Sequence, residues 1–206
     1  MRDPQNKSES VSFGVTKRYG AKLPHWTKPN GVYFVTFRLA DSVPISVQRQ
    51  WKAERDIRLA EAIQQNRQLS LDDQQRWFSE KIDDYLDSGV GACWMQHSAI
   101  AELVAGALRN FDRQRYRLHA WCVMPNHVHV VAEPLADHEL PGILHSWKSY
   151  CAKQINRMVG RTGTLWQDES YDHLIRDGDD LERCVKYTIQ NPGKAGLKDW
   201  PWFARP

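Results

Sequence analysis

The chain reads as an α+β fold built on an antiparallel sheet, and three observations predict it. Residues 116–133 hold two β-rich runs separated only by Pro125-Asn126, which implies a hairpin of adjacent antiparallel strands. Tyr33-Phe34-Val35-Thr36-Phe37-Arg38-Leu39 is β-branched and aromatic, as a strand should be. Ser98–Phe111 and Glu139–Val159 repeat apolar residues at i, i+3, i+4 and i+7, the signature of helices packed on one face.

Taken in order, residues 1–25 lack periodicity and read as a flexible basic arm, and residues 26–206 read as a single domain. After the strand at 32–39, Asp41-Ser42-Val43-Pro44 breaks the chain and Ser46 can cap a helix starting there. Residues 46–68 and 71–86 read as two charged helices within a helical insertion, 46–90, that would pack on the edge of the domain. Ile100, Leu103, Val104, Ala107, Leu108 and Phe111 line the next helix. The hairpin comes after it, with Tyr116–Met124 and His127–Glu133 as strands and Pro134 as terminator. Leu140, Ile143, Leu144, Trp147, Cys151, Ile155 and Met158 stripe the helix at 139–159, and Gly160 closes it. Residues 160–206 read as a C-terminal extension, with a last helix from Asp179 to Gln190 stopped by Asn191-Pro192-Gly193.

With 206 residues, 41% of them hydrophobic, the chain can bury a substantial core. It has no apolar run of membrane-spanning length and no apolar N-terminal signal core, so a cytoplasmic protein is expected. Cys93, Cys122, Cys151 and Cys184 are too scattered for a zinc ribbon or a disulfide scaffold, and reduced thiols are expected. The net charge of +3 hides a segregation: residues 11–40 carry five basic residues and residues 140–167 carry four, with no acid in either window. A field divided in this way suits a polyanion-binding face. Nine tryptophans add aromatic faces on which bases can stack.

The chemistry concentrates at Met124-Pro125-Asn126-His127-Val128-His129. Side chains alternate along a strand, so His127 and His129 share one face and can hold one divalent metal. On the helix after this strand, Tyr150 and Gln154 stand one turn apart at the edge of the apolar stripe. If that helix packs on the histidine face, a tyrosine hydroxyl and an amide oxygen join the two imidazoles. That set suits phosphodiester cleavage, with tyrosine attacking phosphorus. Lys148, Lys153, Arg157, Arg161 and Arg38 are candidate phosphate contacts.

The hairpin Leu118–His129 resembles the His-hydrophobic-His motif of single-tyrosine transposases, and more narrowly that of the REP-associated tyrosine transposases. The similarity continues through residues 33–39, His145-Ser146-Trp147-Lys148-Ser149-Tyr150, Gly163-Thr164-Leu165-Trp166-Gln167, residues 171–177 and Asn191-Pro192-Gly193-Lys194-Ala195-Gly196-Leu197. It implies a ferredoxin-like antiparallel sheet with packed helices, an Mg²⁺ or Mn²⁺ site, and single-stranded or hairpin DNA as partner for a monomer or homodimer. It further implies cleavage and rejoining of single-stranded DNA beside a hairpin, through a 5′-phosphotyrosine and a free 3′-hydroxyl. Residue by residue, His127 and His129 match the metal pair, Tyr150 the nucleophile and Gln154 the third ligand. Tyr171 is the second candidate for the nucleophile. Two other functions stay open: a hairpin-binding protein without strand transfer, and a metal-dependent phosphoesterase that uses activated water.

Overall fold

The computed structural model describes the backbone of residues 9–11, 15–19, 24–65, 77 and 81–206, and side chains from residue 28 onward within those ranges. A central sheet of five strands comprises β4 (Tyr33–Arg38), β5 (Tyr116–Val123), β6 (His127–Pro134), β7 (Tyr171–Leu174) and β8 (Phe203–Ala204). Its order is β7-β4-β6-β5-β8, and every neighbouring pair is antiparallel. With α3 (Ser98–Arg109) between β4 and β5, and α4 (Leu140–Met158) between β6 and β7, the connectivity is βαββαβ, the ferredoxin-like arrangement. The hairpin expected at Pro125-Asn126 joins β5 to β6, and Met124 N–H donates to the His127 carbonyl at 2.9 Å.

β4 and β6 are buried on both faces, with a separate core packed on each face of the sheet. Tyr33, Val35, Phe37, Val128, Val130 and Ala132 pack with α3 and with Ile143, Trp147, Cys151 and Ile155 of α4. On the other face, Phe34, Ala120 and Val131 pack with Cys184 and Val185 of α5 (Gly178–Lys194). His127 and His129 alternate with Val128 and Val130, so they belong to the α5 face.

α5 runs further than the sequence suggests. Asn191-Pro192-Gly193 reads as a stop, yet the helix continues through Lys194 with Pro192 inside it. Proline removes its own N–H and crowds the carbonyl four residues earlier, yet the chain beyond still closes, with Ala195 N–H on the Asn191 carbonyl at 3.0 Å and Leu197 N–H on that of Pro192 at 2.9 Å. Asn191 therefore remains on helical spacing, four residues after Tyr187. At the other end Asp177 caps the helix by accepting from the Asp180 N–H at 2.8 Å.

The described part of residues 1–25 is paired rather than an unpaired arm. β1 (Glu9–Val11), β2 (Val15–Tyr19) and β3 (Pro24–Thr27) form a separate three-stranded antiparallel sheet, and β3 lies against β7. In the region read as an insertion, α1 spans Ile45–Gln64, and the described turns of α2 span 81–87; the remainder of the second expected helix lies outside the described residues. Val43, Trp51 and Leu86 form a small core of their own. The end of this region is not an edge decoration. The Asn126 amide donates to the carbonyls of Leu86 at 3.0 Å and Val90 at 2.9 Å, which ties residues 86–90 to the turn before the histidine strand. The C-terminal extension docks through Trp200, whose indole donates to the Val123 carbonyl at 2.8 Å, and through β8. All four cysteines are free and buried. Among the described residues no helix is long and apolar enough to cross a membrane.

Candidate functional site

His127 and His129 are fully buried, and their Nε2 atoms face each other at 2.9 Å. The Nδ1 atom of His127 lies 2.7 Å from Asn126 Oδ1, an acceptor only, so Nδ1 carries the proton and Nε2 keeps its lone pair. The Nδ1 atom of His129 lies 2.8 Å from Thr36 Oγ1, the residue directly across β4. Burial pushes His127 well below the usual imidazole range, with His129 adding to it, and burial takes His129 down to about 3. Both rings are neutral at physiological pH. Two neutral imidazoles, each oriented through Nδ1 and with close Nε2 atoms, form a donor pair suited to a divalent cation.

The tyrosine beside this pair is Tyr187, on α5. Its ring meets His129 edge-on at 5.4 Å, and Phe34 stacks on His129 at 5.5 Å. The Tyr187 hydroxyl donates to Asp83 Oδ2 at 2.9 Å, and the Lys194 ammonium lies 4.6 Å from the ring centre. One turn after Tyr187, Asn191 is fully buried, and neither its amide oxygen nor its amide nitrogen has a hydrogen-bond partner. An orphaned buried amide one turn from the tyrosine that meets His129 is a ready oxygen donor for the same cation. Asp87 Oδ1, also buried and without a hydrogen-bond partner, stands 3.9 Å from His127 Nε2. Because His127 is uncharged this is no ion pair; burial, with Asp84 nearby, raises the Asp87 carboxyl to about 6.

The structure does not bring Tyr150 and Gln154 to the histidines. α4 buries Leu140, Ile143, Trp147, Cys151 and Ile155 against the Val128–Val130 face, which leaves the sheet between α4 and the imidazoles. Tyr150 is 52% exposed, about 100° around the helix from Cys151. Met158, counted in the apolar stripe, is also exposed. Tyr171 does lie on the histidine side, but as a half-buried packing residue against Phe34, with ring centres 6.3 Å apart. The sequence carried the missed signal: Tyr187 and Asn191 repeat the spacing of Tyr150 and Gln154, but the apparent stop at Asn191-Pro192 concealed it.

The candidate phosphate contacts scatter. Arg38 pairs across the strands with His127 and lies on its face, and burial lowers its guanidinium to about 10. Lys148 donates to the carbonyls of Gln167 at 2.6 Å and Asp168 at 2.8 Å, a loop staple rather than a free cation. Arg161 donates to the Thr164 carbonyl at 3.0 Å. Lys153 and Arg157 are exposed on α4. Trp166 is a core residue whose indole donates to the Lys148 carbonyl at 3.0 Å.

A second donor cluster lies between β7 and α5. The ligand atoms of His173, Asp180 and Cys184 all fall within 4.8 Å of one another and could hold an ion. The Asp180 carboxylate is already engaged by His173 at 2.8 Å, the Arg176 N–H at 3.1 Å and Arg183. Burial pushes the Cys184 thiol up to about 12, which keeps it protonated. The cluster therefore serves first as a lock between strand and helix.

The βαββαβ sheet thus carries a paired-histidine strand and, on the same face, a tyrosine-bearing helix. Residues 96–191, less than half of the chain, match the model of the family described as IS200-like transposases. The chain is 31% identical over 97 residues to a protein of Haemophilus influenzae provisionally named a REP-associated tyrosine transposase, covering 40% of this chain and 55% of the relative. It is 28% identical over 107 residues to the REP-associated tyrosine transposase of Escherichia coli strain K12, covering 49% and 62%. The matches thus span little more than half the length of these curated relatives. A solved REP-associated tyrosine transposase bound to a REP hairpin shares the fold, with a TM-score of 0.51 and 18% identity over 89% of this chain and 82% of that one.

Proposed function

We propose that the chain is a metal-dependent transposase that cleaves and rejoins single-stranded DNA beside a hairpin, with Tyr187 as nucleophile. The observation that carries this reading is the Tyr187 ring against His129, with the unpartnered Asn191 amide one turn later. The family match and the names of the relatives supply the reaction class. The Tyr187 oxygen attacks phosphorus, the bond to the 3′-oxygen breaks, and a 5′-phosphotyrosine and a 3′-hydroxyl result. Attack by a 3′-hydroxyl in the reverse sense rejoins the strand.

His127 and His129 would hold an Mg²⁺ or Mn²⁺ ion, with Asn191 or Asp87 as oxygen donor. Such an ion supplies charge neutralisation at the non-bridging phosphate oxygens. Asn126 and Thr36 keep the two imidazoles oriented. Arg38, across the strand from His127, and Lys194, over the Tyr187 ring, would contact the scissile phosphate. Lys153 and Arg157 belong to a second basic surface across the sheet.

The test is a denaturing gel after incubation with labelled single-stranded hairpin DNA and Mn²⁺. A covalent protein–DNA adduct is expected from the native chain and from Tyr150→Phe, and none from Tyr187→Phe. An adduct that survives Tyr187→Phe would refute the assignment; cleavage without any adduct would favour the activated-water phosphoesterase.

A further inference from the structure

Asp83 comes from a part of the chain outside the matched region, which begins at residue 96. It is carried by α2, within the region the sequence reads as a peripheral insertion. The residue is 8% exposed, and its Oδ2 atom accepts the Tyr187 hydroxyl at 2.9 Å. We propose that Asp83 is a catalytic residue: it aims the Tyr187 hydroxyl and takes its proton as the phenol oxygen attacks phosphorus. The inference rests on Tyr187 being the nucleophile.

Three observations support it. First, the geometry is that of a nucleophile on its base, within the roughly 2.6–3.2 Å range such pairs need. Second, the imidazoles offer no other base at the hydroxyl: the Nε2 atoms face each other, and His129 meets the tyrosine ring rather than its oxygen. Third, α2 is held in place independently of DNA. The Asn126 amide clamps the Leu86 and Val90 carbonyls, and Leu86 is buried with Val43 and Trp51. A phenol, with an ordinary pKa of about 10, rests protonated at physiological pH, so the Tyr187 proton must leave during attack.

The step balances. The Tyr187 O–H bond breaks and its proton passes to Asp83. The phenol oxygen forms the new bond to phosphorus. The P–O3′ bond breaks with its electron pair on the 3′-oxygen, which takes up a proton from solvent. In rejoining, the protonated Asp83 returns its proton to the departing phenolate.

The experiment measures the single-turnover rate of adduct formation and, separately, the affinity for the same hairpin DNA. Asp83→Asn keeps shape and a hydrogen-bonding group but cannot accept the proton. It should slow adduct formation by about a hundredfold or more, the usual effect of removing a general base, with DNA affinity and melting temperature unchanged. Asp83→Glu restores a carboxylate and should recover part of the rate. A native rate in Asp83→Asn would overturn the proposal while leaving Tyr187 as nucleophile. So would equal losses of rate and affinity in both variants, which would mark Asp83 as structural. Failure of the native chain to form an adduct, or an adduct that persists in Tyr187→Phe, would remove both the proposal and the nucleophile assignment beneath it.

Discussion

Asn126 shows how much one residue of the histidine motif does. Its amide nitrogen satisfies two carbonyls of the 86–90 segment, and its amide oxygen fixes the tautomer of His127. Asn126→Ala leaves those carbonyls buried without a donor, so stability should fall by about 1–3 kcal/mol in urea unfolding. Divalent-metal affinity should fall with it, because His127 loses its orientation. The histidines also set an acid limit. Both are held below the unfolded value of about 6.5, so below that pH the unfolded chain binds more protons than the folded one. The stability they contribute is therefore complete above about 6.5 and is lost as pH falls toward 3, by up to about 1.4 kcal/mol per pH unit for each ring. A His127→Gln, His129→Gln double variant should show a flatter stability–pH slope over that range; an unchanged slope would show that the rings are not neutral in the fold.

At the scale of elements, α5 and the loop before the short 3₁₀ turn Trp94–Gln96 carry the site's geometry. α5 delivers Tyr187 and Asn191 to one face only because it stays helical through Pro192. Gly91 sits at φ +95°, and a Cβ there would lie 3.0 Å from the Asp41 carbonyl oxygen. Gly91→Ala should thus destabilise the chain by more than about 1 kcal/mol, readable as a lower melting temperature. α4 behaves differently: its buried stripe is structural and Tyr150 is solvent-facing. Tyr150→Phe should leave stability within about 0.5 kcal/mol of native, as surface substitutions do.

Across the whole molecule, described cations of the two basic windows stand on different sides of the sheet. Arg38 shares the histidine face, whereas Lys153 and Arg157 project from α4 on the other. If the chain binds DNA through phosphate contacts, affinity should fall steeply with salt. Arg38→Ala should lower both the adduct rate and the salt slope. Lys153→Ala with Arg157→Ala should change the slope and leave the single-turnover rate at saturating DNA intact. Equal effects on rate from both surfaces would mean that the DNA path crosses from one side of the sheet to the other.

The sequence by itself determined the hairpin, α3 and α4, and the side-by-side histidine pair. Alternating β-branched residues and a two-residue turn dictate the hairpin, periodic apolar residues dictate α3 and α4, and the strand period puts His127 and His129 side by side. Each is a local rule, decided within a few residues. Which face of the sheet receives which helix is not local. The choice between Tyr150-Gln154 and Tyr187-Asn191 turned on whether α4 or α5 covers the imidazoles, and both helices have an apolar face that fits a sheet. Only the tertiary packing placed Val128 and Val130 against α4 and left the histidines to α5. The same holds for Asp83 and Asp87, about forty residues upstream, whose charged helix gave no periodic signal; burial of Leu86 and the Asn126 clamp bring it to the site.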